Sequence, residues 1–291
     1  MAVNDLGYTV YKGRIRSPYH AIWVLWRYTL KQAWASWFVK LTILFGWTTA
    51  LGPAGYVVLG YYMTSAAGMN TGGEASVVDG ASIINALFGW QLWLVVIPIT
   101  TKIGANIIAD DIAQKAFPFF FTKPLSRAHY LAGRMAAVGS LVWALTWVPA
   151  LLVVLTLCLT AAPGDFLHRA FLLAPSTAYA LIIAVVIATT AVGVSALSHR
   201  RAVTMTAWLL LWIVPHVGSR LATLFSESTW AHMASLPSLL ENIGQSLFQL
   251  TEQAGSLGHV PWYYAALYLG ILVAASIGAA RWRLLQIGVI Q

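Results

Sequence analysis

The side chains best placed to do chemistry gather in one stretch, KIGANIIADDIAQKAFPFFFTKPLSRAHYLAGR, residues 102–134. An acidic pair (Asp110, Asp111) is followed by an aromatic run (Phe117, Phe119, Phe120, Phe121) around Pro118, then by the turn Lys123-Pro124-Leu125-Ser126-Arg127. Pro124 disfavours helix at Lys123, and Ser126 is suited to cap a helix that starts after it. Two readings stand. One is a connector with a Pro turn and ordinary positive charges. The other is a short helix that shows aromatic and charged groups to a partner, since four Phe in five positions suit a solvated loop poorly.

Elsewhere the catalytic inventory is thin. No H-E-x-x-H occurs, and the seven histidines are scattered without metal-ligand spacing. A phosphate-binding P-loop needs Gly immediately before its Lys, and none of the six lysines (12, 31, 40, 102, 115, 123) has one. No G-x-S-x-G is present. The single cysteine, Cys158, allows neither an intrachain disulfide nor a Cys-based metal site. No catalytic residue, metal site or cofactor of this chain's own is therefore expected.

Composition sets what must position that stretch. The 291 residues are 59% hydrophobic and 9% charged, with a mean hydropathy of +0.73, against roughly 25% charged residues in soluble domains. A polytopic membrane protein is the reading that remains, and disorder or a collagen-like repeat is excluded. The net charge of +8 fits basic loops on one side of a membrane. No basic run alternates with exposed aromatics, so nucleic acid is not an expected partner. The N-terminus lacks an apolar stretch close to Met1, so a cleaved signal peptide is not expected.

Six apolar stretches, 41–63, 83–101, 135–160, 177–197, 202–217 and 262–280, read as membrane-spanning helices. The fifth is short: at about 1.5 Å per residue it covers about 24 Å of a roughly 30 Å hydrocarbon core. Either it continues through Leu221–Phe225, or the chain after it re-enters the membrane. Fifteen of the 17 Lys and Arg fall before span one, between spans two and three, between four and five, or after six. Only Arg169 and Arg220 fall on the other side, with six of the nine acids (Glu74, Asp79, Asp165, Glu227, Glu241, Glu252). The asymmetry puts both termini in the cytoplasm. The drawn spans hold no Asp, Glu, Lys or Arg, which argues against a proton-coupled pump built on buried carboxylates.

The expected architecture is all-α. Residues 1–40 form a cytoplasmic N-terminal segment and 41–291 a six-span domain. Within 19–40, Ile22, Trp23, Trp26, Leu30, Ala33, Trp34, Trp37 and Leu41 share a stripe, while Arg27 and Lys31 take another face. This describes an amphipathic helix lying in the membrane surface and meeting lipid; packing on other protein is the alternative. The outer segment 218–261 has helical apolar spacing broken by Pro237 and Gly244, and reads as short helices that cap the outer face or dip inward. Gly270, Ala274 and Gly278 in span six, and Ala180, Ala184 and Ala188 in span four, suit close helix contacts, expected within one chain. No internal repeat supports a repeat-built secondary transporter.

At residues 111–134 the sequence resembles the permease subunits of type-2 ABC exporters. The matching residues are Asp111, Phe121, Thr122, Lys123, Pro124, Leu125, Ser126, Arg127, Tyr130, Gly133 and Arg134, with Arg134 where Lys is common. The resemblance covers the architecture of nearly the whole chain: a surface helix, six spans, and a capping or re-entrant segment before the last. It implies a multi-pass protein of a bacterial-type inner membrane that works with a second copy of itself or a related permease. It also implies a separate ATPase subunit that binds ATP and Mg. The connector 102–134 would be the coupling element gripped by that ATPase, with Asp110, Asp111, Phe120, Phe121, Lys123, Pro124 and Arg127 as the contact set. Differential contact with open and closed ATPase states would carry the coupling.

The transported species is less defined. Trp143 and Trp147 in span three, and Trp208 and Trp212 in span five, lie away from the interfacial belts where Trp is enriched. They either line a path for an apolar, amphipathic or polymeric substrate or fill space between helices. Two rival functions share this topology: a scaffold with no transported substrate, and an intramembrane lipid-modifying enzyme, which would need Asp165, His168 and Arg169 gathered in one outer pocket.

Overall fold

The computed structural model describes residues 18–66, 79–117, 126–162, 164–225, 229–250 and 260–287, and among these there is no strand. Six helical segments are long and apolar enough to cross a membrane: Trp37–Met63, Gly80–Ala113, Arg127–Leu159, Phe166–Leu197, Arg201–Thr223 and Trp262–Gln286. The chain is a multi-pass membrane protein. Each expected span lies within one of these segments, apart from Thr160 at the end of the third. The differences are mostly extensions, because hydropathy stops at the first polar residue whereas a helix stops only where its backbone bonds fail.

A helix α1 (Pro18–Ala35) precedes the spans. Span one is α2 (Trp37–Thr48) and α3 (Leu51–Ala66), broken at Thr49 and Ala50 ahead of Gly52-Pro53. Span two is segmented into α4 (Gly80–Gln91), a π turn (Leu92–Val96), α5 (Ile97–Lys102), a 3-10 turn (Gly104–Asn106) and α6 (Ile107–Ala113). Asp79 caps its start, accepting from the backbone N–H of Ala81 at 3.1 Å and of Ser82 at 3.3 Å. Span three is the continuous α7 (Arg127–Leu159), which carries Pro149 in its interior. Span four is α8 (Phe166–Phe171) running into α9 (Leu173–Leu197), and span five is α10 (Arg201–Phe225). A 3-10 turn (Thr229–Ala234) and α11 (Leu236–Leu247) lead to span six, α12 (Trp262–Ile287).

Span four is the axis of the bundle and packs on both α7 and α12. Its backbone approaches span six so closely at Gly193 that a Cβ there would lie 3.0 Å from the Ser276 carbonyl and 3.1 Å from its Cα. Glycine is required at that crossing. The other small-residue stripe behaves differently. Nothing lies within 4 Å of a Cβ built on Gly270 or Gly278, and both are exposed. The expectation of contact within one chain therefore fails for span six, because α12 turns the opposite face to α9.

The fifth span does continue as helix to Phe225, so of the two expectations for 202–217, extension holds. The segment after span five, expected to cap the bundle or dip inward, is packed into the protein. In α11, Leu236, Leu239, Leu240 and Ile243 are buried with Ser238 and Asn242. The Tyr179 hydroxyl donates to the Leu240 carbonyl at 3.0 Å, and Asn242 donates to the Val260 carbonyl at 2.9 Å. Ser235 starts the helix and also meets His216 Nδ1 at 3.1 Å. Gly244 faces Tyr179 and Asn85 with no room for a Cβ. A helix this short can pack against the spans because its apolar face is covered by protein.

Candidate functional site

The end of the bundle that carries Lys102, Arg127, Arg134 and Arg201 holds the candidate site. Span two breaks first, at Ile103. Gly104 lets the backbone pass span four, where a Cβ would meet Ala191 Cβ at 2.9 Å. Asn106, 1% exposed, donates to the Thr101 and Lys102 carbonyls, both at 3.1 Å. Its Oδ1 accepts from the Thr204 hydroxyl at 3.2 Å. Carbonyls freed by the break are thus answered locally, and the break is pinned to span five.

Helix α6 then begins against span four. Ser195 Oγ accepts from the backbone N–H groups of Ile108 at 2.9 Å and Ala109 at 3.1 Å. This is an N-cap supplied from 87 residues away rather than by the preceding residue. Ile107, Ile108 and Ala109 are buried. The helix ends at Lys115, which adopts a left-handed φ of 51°, and the Ala116 N–H closes back on the Asp111 carbonyl at 2.9 Å.

One turn into α6, the Asp111 carboxylate points into the chain. Its Oδ2 accepts from the Tyr130 hydroxyl and from Arg134 Nη2. Arg134 Nη1 donates to the Thr29 hydroxyl of α1 at 2.9 Å, and its guanidinium carbon stands 5.5 Å from the centre of the Tyr130 ring. Phe117, also buried, meets the same ring edge-on at 5.6 Å. Arg134 is 2% exposed and Asp111 13%. Tyr130 and Arg134 are four residues apart and therefore share one face of α7. Ser126 caps that helix, accepting from the His129 N–H at 3.2 Å.

This clamp ties together three elements: α6, which closes span two, α7, and α1. Gly133 strengthens the last tie, because a Cβ there would lie 2.9 Å from Leu25 Cβ and 3.3 Å from the Ile22 carbonyl. Trp26 of α1 donates to Ser140 at 2.9 Å. In the sequence reading α1 is a surface helix; in the structure it is also bolted along span three.

The site residues named from sequence fare unequally. Phe120, Phe121, Lys123 and Pro124 lie outside the described residues. Asp110 and Arg127 are partly exposed on the same end. Asp111 is directed inward and held by Arg134, so its carboxylate organises the chain. Thr29 is a clamp residue that sequence reasoning did not name, and Arg134 stood there as part of the permease-like pattern, outside the contact set. The available signal was that Arg134 follows Tyr130 by four residues on one face of α7, within reach of the acids that end span two.

The four tryptophans fall in two pairs. Trp208 and Trp212 are fully buried and meet edge-to-face at 5.6 Å. Trp143 and Trp147 are stacked at 5.0 Å, with Trp147 donating to the Thr177 hydroxyl at 2.9 Å. Trp143 lines an open groove between spans three and four. On the opposite end, Arg169 donates to the Leu157 carbonyl at 3.0 Å and capping of span three occupies it, while His168 is exposed. Asp165, His168 and Arg169 lie together on the short α8, with Asp165 at its N-cap and the other two in its last turn. Among known proteins, no family model matches this sequence and no curated protein is similar to it, so the chemistry of the site is read from its own geometry.

Proposed function

We propose that this chain is the membrane-embedded permease of an ATP-driven exporter, with ATP and Mg bound and hydrolysed by a separate ABC-type subunit that grips the connector between spans two and three. The observation that carries the reading is the Asp111–Arg134–Thr29 clamp. A load applied to the connector reaches span three through an ion pair and a tyrosine, and reaches α1 through a hydrogen bond. A connector free of such ties would absorb a push by bending. Here the ties through Ser195 and Asn106 extend the load to spans four and five. Coupling of this kind needs a bistable bundle whose two states the ATPase contacts differently.

In this reading the basic end faces the cytoplasm, the membrane is a bacterial-type inner membrane, and a second copy or a related permease completes the assembly. The substrate is apolar, amphipathic or polymeric, because the buried charge among the described spans, the Asp111–Arg134 pair at the basic end, is already matched and offers no site for a small ion. The test is co-purification with the ATPase made beside this chain, followed by ATP turnover in the reconstituted complex. Arg127→Glu is expected to abolish the permease-dependent part of that turnover while the permease keeps its melting temperature. Turnover equal to wild type in that variant, or no ATPase in the purified assembly, overturns the reading.

A further inference from the structure

Spans three and four part on one flank to leave a groove of about 380 Å³. Met135, Gly139 and Trp143 line it from α7, and Leu181, Val185 and Ala188 from α9. Its floor is the helix crossing itself, where a Cβ on Gly139 would sit 3.5 Å from Ala188 Cβ. Leu181 and Val185 form an exposed rim, at 55% and 46% exposure, so the groove opens sideways from the bundle.

Its two hydroxyls are already engaged. Ser140 donates to the Ala137 carbonyl and accepts from Trp26. Thr189 donates to the Val185 carbonyl at 2.7 Å. Whatever fills the groove is therefore apolar. From Met135 to Trp143 the helix rises about 12 Å, close to the roughly 15 Å depth of one leaflet's hydrocarbon. The stacked Trp143–Trp147 pair closes the far end.

The near end carries the charge. Trp26, bonded to Ser140 in the groove wall, stacks on Trp23 at 4.5 Å. Trp23, Arg27 and Lys31 follow at four-residue steps on one exposed face of α1. The helix that carries these two cations thus adjoins the slot through Trp26, and it meets span three at Gly133 and Arg134, beside Met135 at the slot's near end.

We propose that the groove between spans three and four holds one acyl chain of an anionic phospholipid from the leaflet at the basic end, with its headgroup at Arg27 and Lys31. The charge complementarity is what selects a lipid over a second protein helix, since a helix would need no cations at the mouth. Two cations near an anionic headgroup give a preference of about tenfold or more over a zwitterionic one. This inference needs only the membrane fold and does not rest on the exporter reading.

The full-length protein is reconstituted in nanodiscs of equal parts dioleoyl-phosphatidylglycerol and dioleoyl-phosphatidylcholine, and the lipid it retains is identified by native mass spectrometry. The expected result is one retained phosphatidylglycerol per chain. Val185→Trp fills the slot from its exposed rim and is expected to abolish retention with the melting temperature unchanged; Leu181→Trp serves where the first variant fails to fold. Arg27→Gln with Lys31→Gln is expected to leave a lipid bound but erase the preference for phosphatidylglycerol. Equal retention of both lipids by the wild type, or retention unaffected by the rim variants, overturns the proposal. A rim variant that changes the oligomeric state overturns it in favour of a second copy in the groove.

Discussion

Asp111 and Arg134, 23 residues apart, form an ion pair that closes span two onto span three, with Tyr130 as a second donor to the same carboxylate oxygen. Two charges taken out of water stabilise a fold only when their remaining valences are filled. Tyr130 and Thr29 fill them here, and in doing so they fix where α6 and α1 lie.

Removing one partner leaves the other charge buried and unmatched. Asp111→Asn and Arg134→Met are each expected to destabilise the detergent-solubilised protein by about 3 kcal/mol. The double variant should lose clearly less than the sum of the two. Thermal unfolding of the four proteins measures this, and additive losses would mean that the pair is not coupled.

The cap that Ser195 gives α6 is local and separable from the ion pair. Ser195→Ala is expected to cost about 1–2 kcal/mol, and to raise amide hydrogen exchange first at Ile108 and Ala109, whose N–H groups it accepts. Exchange that rises evenly over the bundle instead would show that the cap has no special role.

The two glycine sets of spans four and six should respond oppositely. Gly193→Ala forces a methyl against the Ser276 backbone, and a loss of about 1–3 kcal/mol is expected from overpacking. Gly270→Ala and Gly278→Ala meet nothing within the chain, and should leave the stability of a single chain unchanged or slightly raised. Melting temperatures of the three variants separate the cases.

Glu241 of α11 is half-buried, and burial raises its carboxyl above the ordinary carboxylate range, against a smaller lowering by Arg220. A carboxyl whose pKa is higher folded than unfolded binds more protons in the folded state. Its contribution to stability is present at acid pH and is lost as pH rises from the ordinary carboxylate value through the raised one. Glu241→Gln should therefore flatten that part of the stability–pH curve and gain relative to wild type as pH rises. Parallel curves for the two proteins would show that Glu241 is solvated.

Helix existence in this protein was legible without coordinates, because twenty-odd apolar residues in a row leave the backbone no other way to satisfy its hydrogen bonds in a membrane. The capping role of Ser126 was legible for the same local reason. The extension of span five past Pro215 was visible only as one of two options: its outer turn is polar, and His216 is accommodated by meeting Ser235 from another element. The inward packing of α11 was less legible still, since its covering residues, Tyr179, Asn85 and Phe88 among them, come from spans four and two.

The same division runs through the candidate site. Residue order alone placed two acids, four Phe and several cations at one end of the bundle, since charge distribution and hydropathy are properties of consecutive residues. Which acid faces inward was decided by the tertiary structure. Asp110 and Asp111 are neighbours with identical chemistry, and only the helical phase of α6, set by the break at Gly104–Asn106 and the cap from Ser195, turns one carboxylate to Arg134. A contact between residues 23 or 105 positions apart depends on how helices cross, and crossing is set by packing.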